Sequence, residues 1–264
     1  MTATTIQQKM IHHGLPQAVF CHHRGCDIAG TTLGYPPSAE CGDWIRVAAT
    51  PRGFVIGVGD AAGHGTEASP VARVMRNQFD AAVHQGTIAP EDILYRINAA
   101  LRGLGGLGAA MVIACDGRGV VAACAGIEAP RMFHRGTMES LRCSGMILGF
   151  RRQIDLEIGT RELPPDSFLS LWSDGVTETE DPATREPFSP ERFAEILQPG
   201  VSSAANLVAC LDAVSAHGPQ RDDRSLLLLQ NSGQTDAASV RAEAPSYPPL
   251  LNLRVAVASA CACA

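Results

Sequence analysis

The sequence predicts an α+β fold, in which sheets and helices come from separate stretches of chain. Three observations carry this. Apolar strand-like segments fill residues 27–60, two helical patterns follow one another from 66 to 103, and a second series of strand-like segments runs on to 174 before another helix pair and a last apolar strand. Runs of strands interrupted by paired helices, without strict β-α alternation, are the pattern of segregated layers rather than of a doubly wound parallel sheet.

Taken in order, residues 5–13 (TIQQKMIHH) read as a short helix that stops before Gly14 and Pro16. DIAGTTLGYPPSAECG is strand and turn, broken by Gly34, Pro36 and Pro37. WIRVAA and FVIGVGD flank a Pro-Arg-Gly turn, and the second is a short apolar run of the kind buried strands show. A helix is expected from about Thr66, a good N-cap, with Val71, Met75, Phe79 and Ala82 near helical spacing. The next has Pro90 in its first turn, Ile93, Ile97 and Leu101 on one face, and Gly103 as its stop. AAMVIACD, GVVAACAG, PRMFHR, MESLR, IDLEI and SFLSLWSD are strand candidates; helices are expected at 189–198 and 202–216, and SLLLLQ closes the series. With no internal repeat and no linker, residues 16–230 read as one domain, preceded by a helical junction over 1–15 and followed by a disordered tail over 231–264.

Composition narrows the function. The 264 residues are 45% hydrophobic and 18% charged, enough for a real core. The net charge of −6 and the absence of any basic block argue against nucleic acid or anionic lipid as partner. No apolar run reaches the ~18 residues of a membrane span, and the polar N-terminus is not a signal peptide. Nine scattered cysteines, several in apolar strand contexts, fit a reduced, cytoplasmic protein.

The stretch GVGDAAGHG (57–65) poses the chemical question: it is either a phosphate cradle or the mount for a metal-binding Asp60. A P-loop requires a Lys that is absent here, and GLGGLG at 103–108 follows a helix and precedes a strand, the reverse of a dinucleotide fingerprint. Both glycine runs therefore read as turns. Acids, however, stand at the ends of apolar strands four times over: Asp43 opens WIRVAA, Asp60 ends FVIGVGD, Asp174 ends SFLSLWSDG, and Asp222 and Asp223 precede SLLLLQ. Turn chemistry explains any one of them; the four together point to carboxylates converging from rigid strand ends. Oxygen ligands of this kind suit Mg²⁺ or Mn²⁺ rather than zinc. Cys21, His22, His23 and Cys26 lack normal zinc spacing and read as local turn chemistry. There is no G-x-S-x-G elbow, and nothing in the sequence sets a His beside Ser173. His64, four residues after Asp60, is either a loop side chain or an acid/base or phosphate contact.

In order along the chain, ECGDW, GVGDAAGHGTEAS, SLWSDGVTETED and RDDRSLLLL resemble the signature blocks of metal-dependent Ser/Thr phosphatases of the PPM (protein phosphatase 2C-like) type, in particular the bacterial SpoIIE/RsbU branch. CAGIEAPRMF and MILGF resemble secondary blocks of the same family, so the likeness covers about residues 7–230. It implies a four-layer α-β-β-α sandwich of two mainly antiparallel sheets. It also implies two Mn²⁺ or Mg²⁺ ions held by Asp43, Asp60, Asp174 and Asp222, with Asp60 bridging, the Ala61 backbone carbonyl completing one shell, and Asp223 as support or alternative ligand. The reaction implied is attack of a metal-activated water on phospho-Ser or phospho-Thr, with no covalent nucleophile. In that picture the glycines around Asp60 give room for metal and phosphate. The chain departs from the family pattern at Cys41, in place of a Gly, and at Ile127, where the family often has His. The implied substrate is a phosphorylated STAS-type antagonist or stressosome protein, and with no input domain evident upstream, any regulation is expected from a partner chain. The alternatives are a non-catalytic phosphoprotein-docking module of the same fold and a hydrolase of small phosphate esters.

Overall fold

The computed structural model describes residues 6–9, 17–36, 40–63 and 65–233. The chain opens with three strands, β1 (Ile6–Lys9), β2 (Gln17–His23) and β3 (Cys26–Leu33), and then forms the hairpin of β4 (Asp43–Thr50) and β5 (Gly53–Ala61). Helices α1 (Gly65–His84) and α2 (Pro90–Leu104) follow. Strands β6 (Gly108–Cys115), β7 (Gly119–Ala125), β8 (Arg131–His134), β9 (Thr137–Ser140), β10 (Ser144–Gly145), β11 (Leu156–Glu162) and β12 (Phe168–Trp172) come next and pass back and forth between two sheets. The one-turn helices α3 (Asp174–Thr177) and α4 (Phe193–Ile196), the longer α5 (Ser203–His217) and the strand β13 (Arg224–Asn231) complete the series.

The strands form a seven-stranded sheet, in the order β1-β2-β3-β13-β12-β8-β9, and a six-stranded sheet, in the order β10-β11-β7-β6-β5-β4. Every paired neighbour is antiparallel. Alternation along each strand sends one set of side chains between the sheets, where Ile28, Ile45, Ile56, Ile113, Leu169 and Leu227 meet. The other face of the six-stranded sheet takes α1 and α2 through Trp44, Met75, Phe79, Ile93 and Ile97. The outer face of the seven-stranded sheet takes α5 through Leu207, Cys210, Leu226 and Leu228. The result is the four-layer α-β-β-α sandwich.

Three expectations change. Residues 6–9 form β1, with Ile6 opposite Cys21 and Lys9 opposite Ala18, where a helix over 5–13 was expected. A helix that short is marginal on its own, whereas β2 offers an open edge whose ladder satisfies the same backbone groups. The expected helix at 189–198 is a 3₁₀ turn, Pro190–Arg192, running into the single turn of α4. Of the tail expected over 231–264, Asn231 is instead the buried last residue of β13, and everything beyond Gly233 lies outside the described residues.

Candidate metal centre

The four strand-end acids come from both sheets and arrive at the same end of the sandwich. Asp43 is the first residue of β4 and Asp60 the penultimate residue of β5, and the register sets them opposite each other. From the other sheet, Asp174 opens α3 just after β12, and Asp222 stands two residues before β13. Asp174 is held in place by Arg224, whose buried guanidinium donates from Nε to the Gly175 carbonyl at 3.2 Å. Gly175 itself lies so close to the Asp223 carbonyl oxygen that a Cβ would stand 2.0 Å from it, so only glycine fits there.

Asp43 is 3% exposed, and a bracket crossing between the sheets fixes it. The Ser173 hydroxyl donates to Asp43 Oδ2 at 2.6 Å and accepts from the Ser225 N–H at 2.9 Å. Behind it, the hydroxyls of Ser225 and Thr32 are 3.0 Å apart. Ser173, which sequence reasoning weighed only as a nucleophile, is thus a buried positioning group. The signal was its place between an apolar strand and Asp174.

Asp222 and Asp223 separate in role. Both Asp223 oxygens are spoken for: Oδ1 accepts from the Tyr35 N–H and Oδ2 from the Gly42 N–H, each at 2.6 Å. It therefore clamps the loop that leads into Asp43. The side chain of Asp222 accepts from the Asp223 N–H at 2.7 Å and acts electrostatically on Asp60. Gly42 completes the wall: its carbonyl accepts from Ala61 N–H at 3.1 Å, and a Cβ on it would stand 2.8 Å from Ala68.

The glycines of GVGD serve a different purpose from the one expected. A Cβ on Gly59 would stand 2.4 Å from Trp44 Nε1, and one on Gly57 would stand 2.7 Å from the same ring. These glycines admit the indole of Trp44, fully buried under α1, rather than a metal or phosphate. Ala61 is buried at the end of β5. His64 lies outside the described residues. Cys21 and Cys26 point into the core between the sheets, while His22 lies 3.6 Å from Asp27. That hairpin turns at Arg24 and Gly25, at the opposite pole from the acids.

Electrostatics mark the acid end. Burial, with Asp43, Asp174 and Asp222 around it, pushes the Asp60 carboxyl well above the usual range. Burial and the charges of Asp223 and Asp174 push Asp43 up in the same direction, against the hydrogen bonds from Ser173 and Ser225. Burial and the same neighbours, Asp174 and Asp222, raise Glu178 too. Burial, Asp43 and Asp223 raise the Cys41 thiol. A cavity of about 760 Å³ opens from the cluster, with Asp174, Asp222, Ile127 and Glu178 in its walls. Glu128, also in its wall, accepts from Trp172 Nε1 at 3.2 Å, a pair the sequence offered no signal for.

By chemistry this donor set fits a hard divalent cation: it is all carboxylate oxygen, partly desolvated, and short of positive charge. Among the described residues, no three His, Cys, Asp or Glu side chains are drawn together tightly enough to hold an ion as they stand.

Comparisons with known proteins bear on the family and the fold. The family described as Stage II sporulation protein E (SpoIIE) matches residues 50–232. No curated protein matches the chain. Among solved structures, the SiaA-PP2C domain of Pseudomonas aeruginosa is similar at a TM-score of 0.66 and 23% identity, over 76% of this chain and 85% of that one. The RsbU and RsbW domains of a Mycobacterium tuberculosis protein give 0.65 and 19%, over 90% and 69%. RsbX in complex with magnesium gives 0.59 and 16%, over 86% and 99%. With its family match spanning most of the domain and its sandwich shared with these structures, the chain belongs to the SpoIIE family and has the fold of PPM-type, PP2C-like phosphatases of the SpoIIE/RsbU branch.

Proposed function

We propose that the protein is a metal-dependent serine/threonine phosphatase acting on a phosphorylated protein. The observation that carries this reading is the convergence of Asp43, Asp60, Asp174 and Asp222 from the strand ends of both sheets, in a chain of the SpoIIE family. In this reading these four residues would hold two Mn²⁺ or Mg²⁺ ions, with the Ala61 carbonyl as a further donor. Bound there, such ions lower the pKa of a water and offset the charge that develops on the phosphoryl oxygens.

The chain's own groups do the rest. The Ser173 bracket and the Asp223 clamp hold Asp43 and its loop before any ligand arrives, so that one of the four acids is positioned in advance. No side chain is needed as a covalent nucleophile. His64 is the candidate for a phosphate contact or proton donor, four residues from Asp60. A cytoplasmic setting belongs to the same reading, supported by seven described cysteines that are all free thiols. The proposed substrate class is a small STAS-type antagonist of the kind the SpoIIE/RsbU branch implies, and any regulation would come through a partner chain.

The test is hydrolysis of p-nitrophenyl phosphate with Mn²⁺, Mg²⁺ or EDTA, beside Asp60→Asn and Asp174→Asn. Turnover that requires Mn²⁺ or Mg²⁺ and falls by at least about 100-fold in both variants, together with lost Mn²⁺ binding by calorimetry, is expected. Unchanged turnover in EDTA would refute the metal assignment. Turnover of small esters alongside inactivity on every phosphoprotein tried would favour a small-ester hydrolase.

A further inference from the structure

Beside the acid cavity, the way two segments are tied together leaves a face apolar. Leu104 ends α2 and Leu107 precedes β6, while Met146 and Phe150 lie between β10 and β11. They are 54, 38, 38 and 58% exposed, and they make up half of the eight large hydrophobic side chains exposed among the described residues.

The backbone keeps these segments side by side. Gly108 and Leu148 exchange two hydrogen bonds, of 3.2 and 2.9 Å. Gly149, at φ +88°, lies so close to Gly106 that a Cβ would stand 2.0 Å from its carbonyl oxygen. Asn98 of α2 staples the loop by accepting from the Gly149 N–H at 2.8 Å and donating to the Arg151 carbonyl at 3.0 Å. The face is therefore preformed rather than assembled on contact.

It also adjoins the acid site on two flanks. Asp60 pairs with Ala109, and the Leu107 carbonyl accepts from the Ala62 N–H at 3.1 Å. Leu107 thus stands two residue steps, roughly 7 Å along the strand, beyond the level of Asp60. On the other flank the Gly126 N–H donates to the Gly145 carbonyl at 2.9 Å, and Gly126 packs against Ile147. Gly126 and Ile127 also line the cavity that holds Asp174 and Asp222. Cavity and apolar face share an edge.

The charges around this face are basic. Arg151 and Arg152 are exposed, with no acidic partner within ion-pair distance among the described residues. The Arg151 guanidinium stands 5.9 Å from the Phe150 ring centroid. Arg102, one turn after Asn98 and on the same side of α2, is exposed as well.

We infer that this face seats the protein substrate, through a segment near its phosphorylated residue in which apolar side chains are interspersed with acidic ones. The apolar side chains would cover Leu104, Leu107, Met146 and Phe150, and the acids would meet the arginines. The assignment rests on the phosphatase reading of the adjoining site.

The experiment uses the full chain and two fluorescein-labelled phosphoserine peptides, one followed by Leu and Glu residues and the other by Ser and Gly. Binding is read by anisotropy, and turnover of p-nitrophenyl phosphate is measured separately. The Leu/Glu peptide is expected to bind at least about 10-fold more tightly. That preference should vanish in the double variant Leu104→Ser, Phe150→Ser and shrink in Arg151→Gln, Arg152→Gln. All variants should keep wild-type p-nitrophenyl phosphate kinetics and melting temperature, with the effect confined to peptide binding. Equal binding of the two peptides by the unmodified chain overturns the proposal. So does a change from dimer to monomer in sedimentation on Phe150→Ser, which would assign the face to a second copy of the chain. Absent p-nitrophenyl phosphate turnover in the unmodified chain would count against the phosphatase reading alone, because the anisotropy comparison still decides the docking face.

Discussion

Adjacent residues Asp222 and Asp223 have the same side chain and opposite burdens. Asp223 is 2% exposed and accepts two backbone N–H bonds, so Asp223→Ala should cost about 2–4 kcal/mol in denaturant unfolding. Asp223→Asn, which keeps one accepting oxygen, should recover part of that. Asp222→Ala should leave stability nearly unchanged while weakening Mn²⁺ binding. Equal stability losses at the two positions would contradict this division. Asp43 and Asp60 set the response to pH. Both are held above the carboxylate range by burial and by neighbouring acids. An acid raised in the folded state favours folding while protonated and opposes it increasingly as pH climbs from its unfolded value toward its folded one. The metal-free protein should therefore melt higher at about pH 5 than at about pH 8. Asp60→Asn should flatten that slope, and saturating Mn²⁺ should do the same by supplying the missing charge.

The hairpin β4–β5 shows how an element serves the site through its far face. Trp44, next to Asp43, fills the space that Gly57 and Gly59 leave open, against Phe79 of α1 at a ring-centroid separation of 5.8 Å. Gly59→Ala would press a methyl into that ring and should lower stability by about 1–3 kcal/mol, read as a fall in melting temperature. Metal affinity should fall with it, because the displaced strand carries Asp60. Much of this architecture was legible in advance. Apolar strands ending in acids, and helices with recognisable starts and stops, are local signals, and they placed α1, α2, α5 and most strands. Non-local causes were hidden. Nothing in TIQQKMIHH says that β2 has an open edge, and nothing in GVGDAAG says that an indole from the preceding strand lies beneath it. The pair of aspartates before β13 likewise gave no sign of which one turns toward Tyr35 and Gly42, since that choice is made by backbone some 180 residues earlier.

At the scale of the molecule, the two sheets meet at the acid end through a few polar contacts: Ser173 to Asp43, and Asp223 to Gly42. Ser173→Ala should therefore loosen the junction between the layers as well as the site. The expected signs are faster amide hydrogen exchange in both β4 and β12 and several-fold weaker Mn²⁺ binding. Exchange confined to β12 would show that the bracket is local. The strand order adds a constraint in time. β13, the last strand in sequence, lies between β3 and β12 in the middle of the seven-stranded sheet. Until it inserts, β1-β2-β3 and β12-β8-β9 have no ladder joining them, and Asp43 lacks the Ser225 end of its bracket. As the chain emerges from the ribosome, the acid cluster cannot close before residues 222–231 are available. Closure of the acid cluster is thus deferred by topology alone, until almost all of the domain has been synthesised.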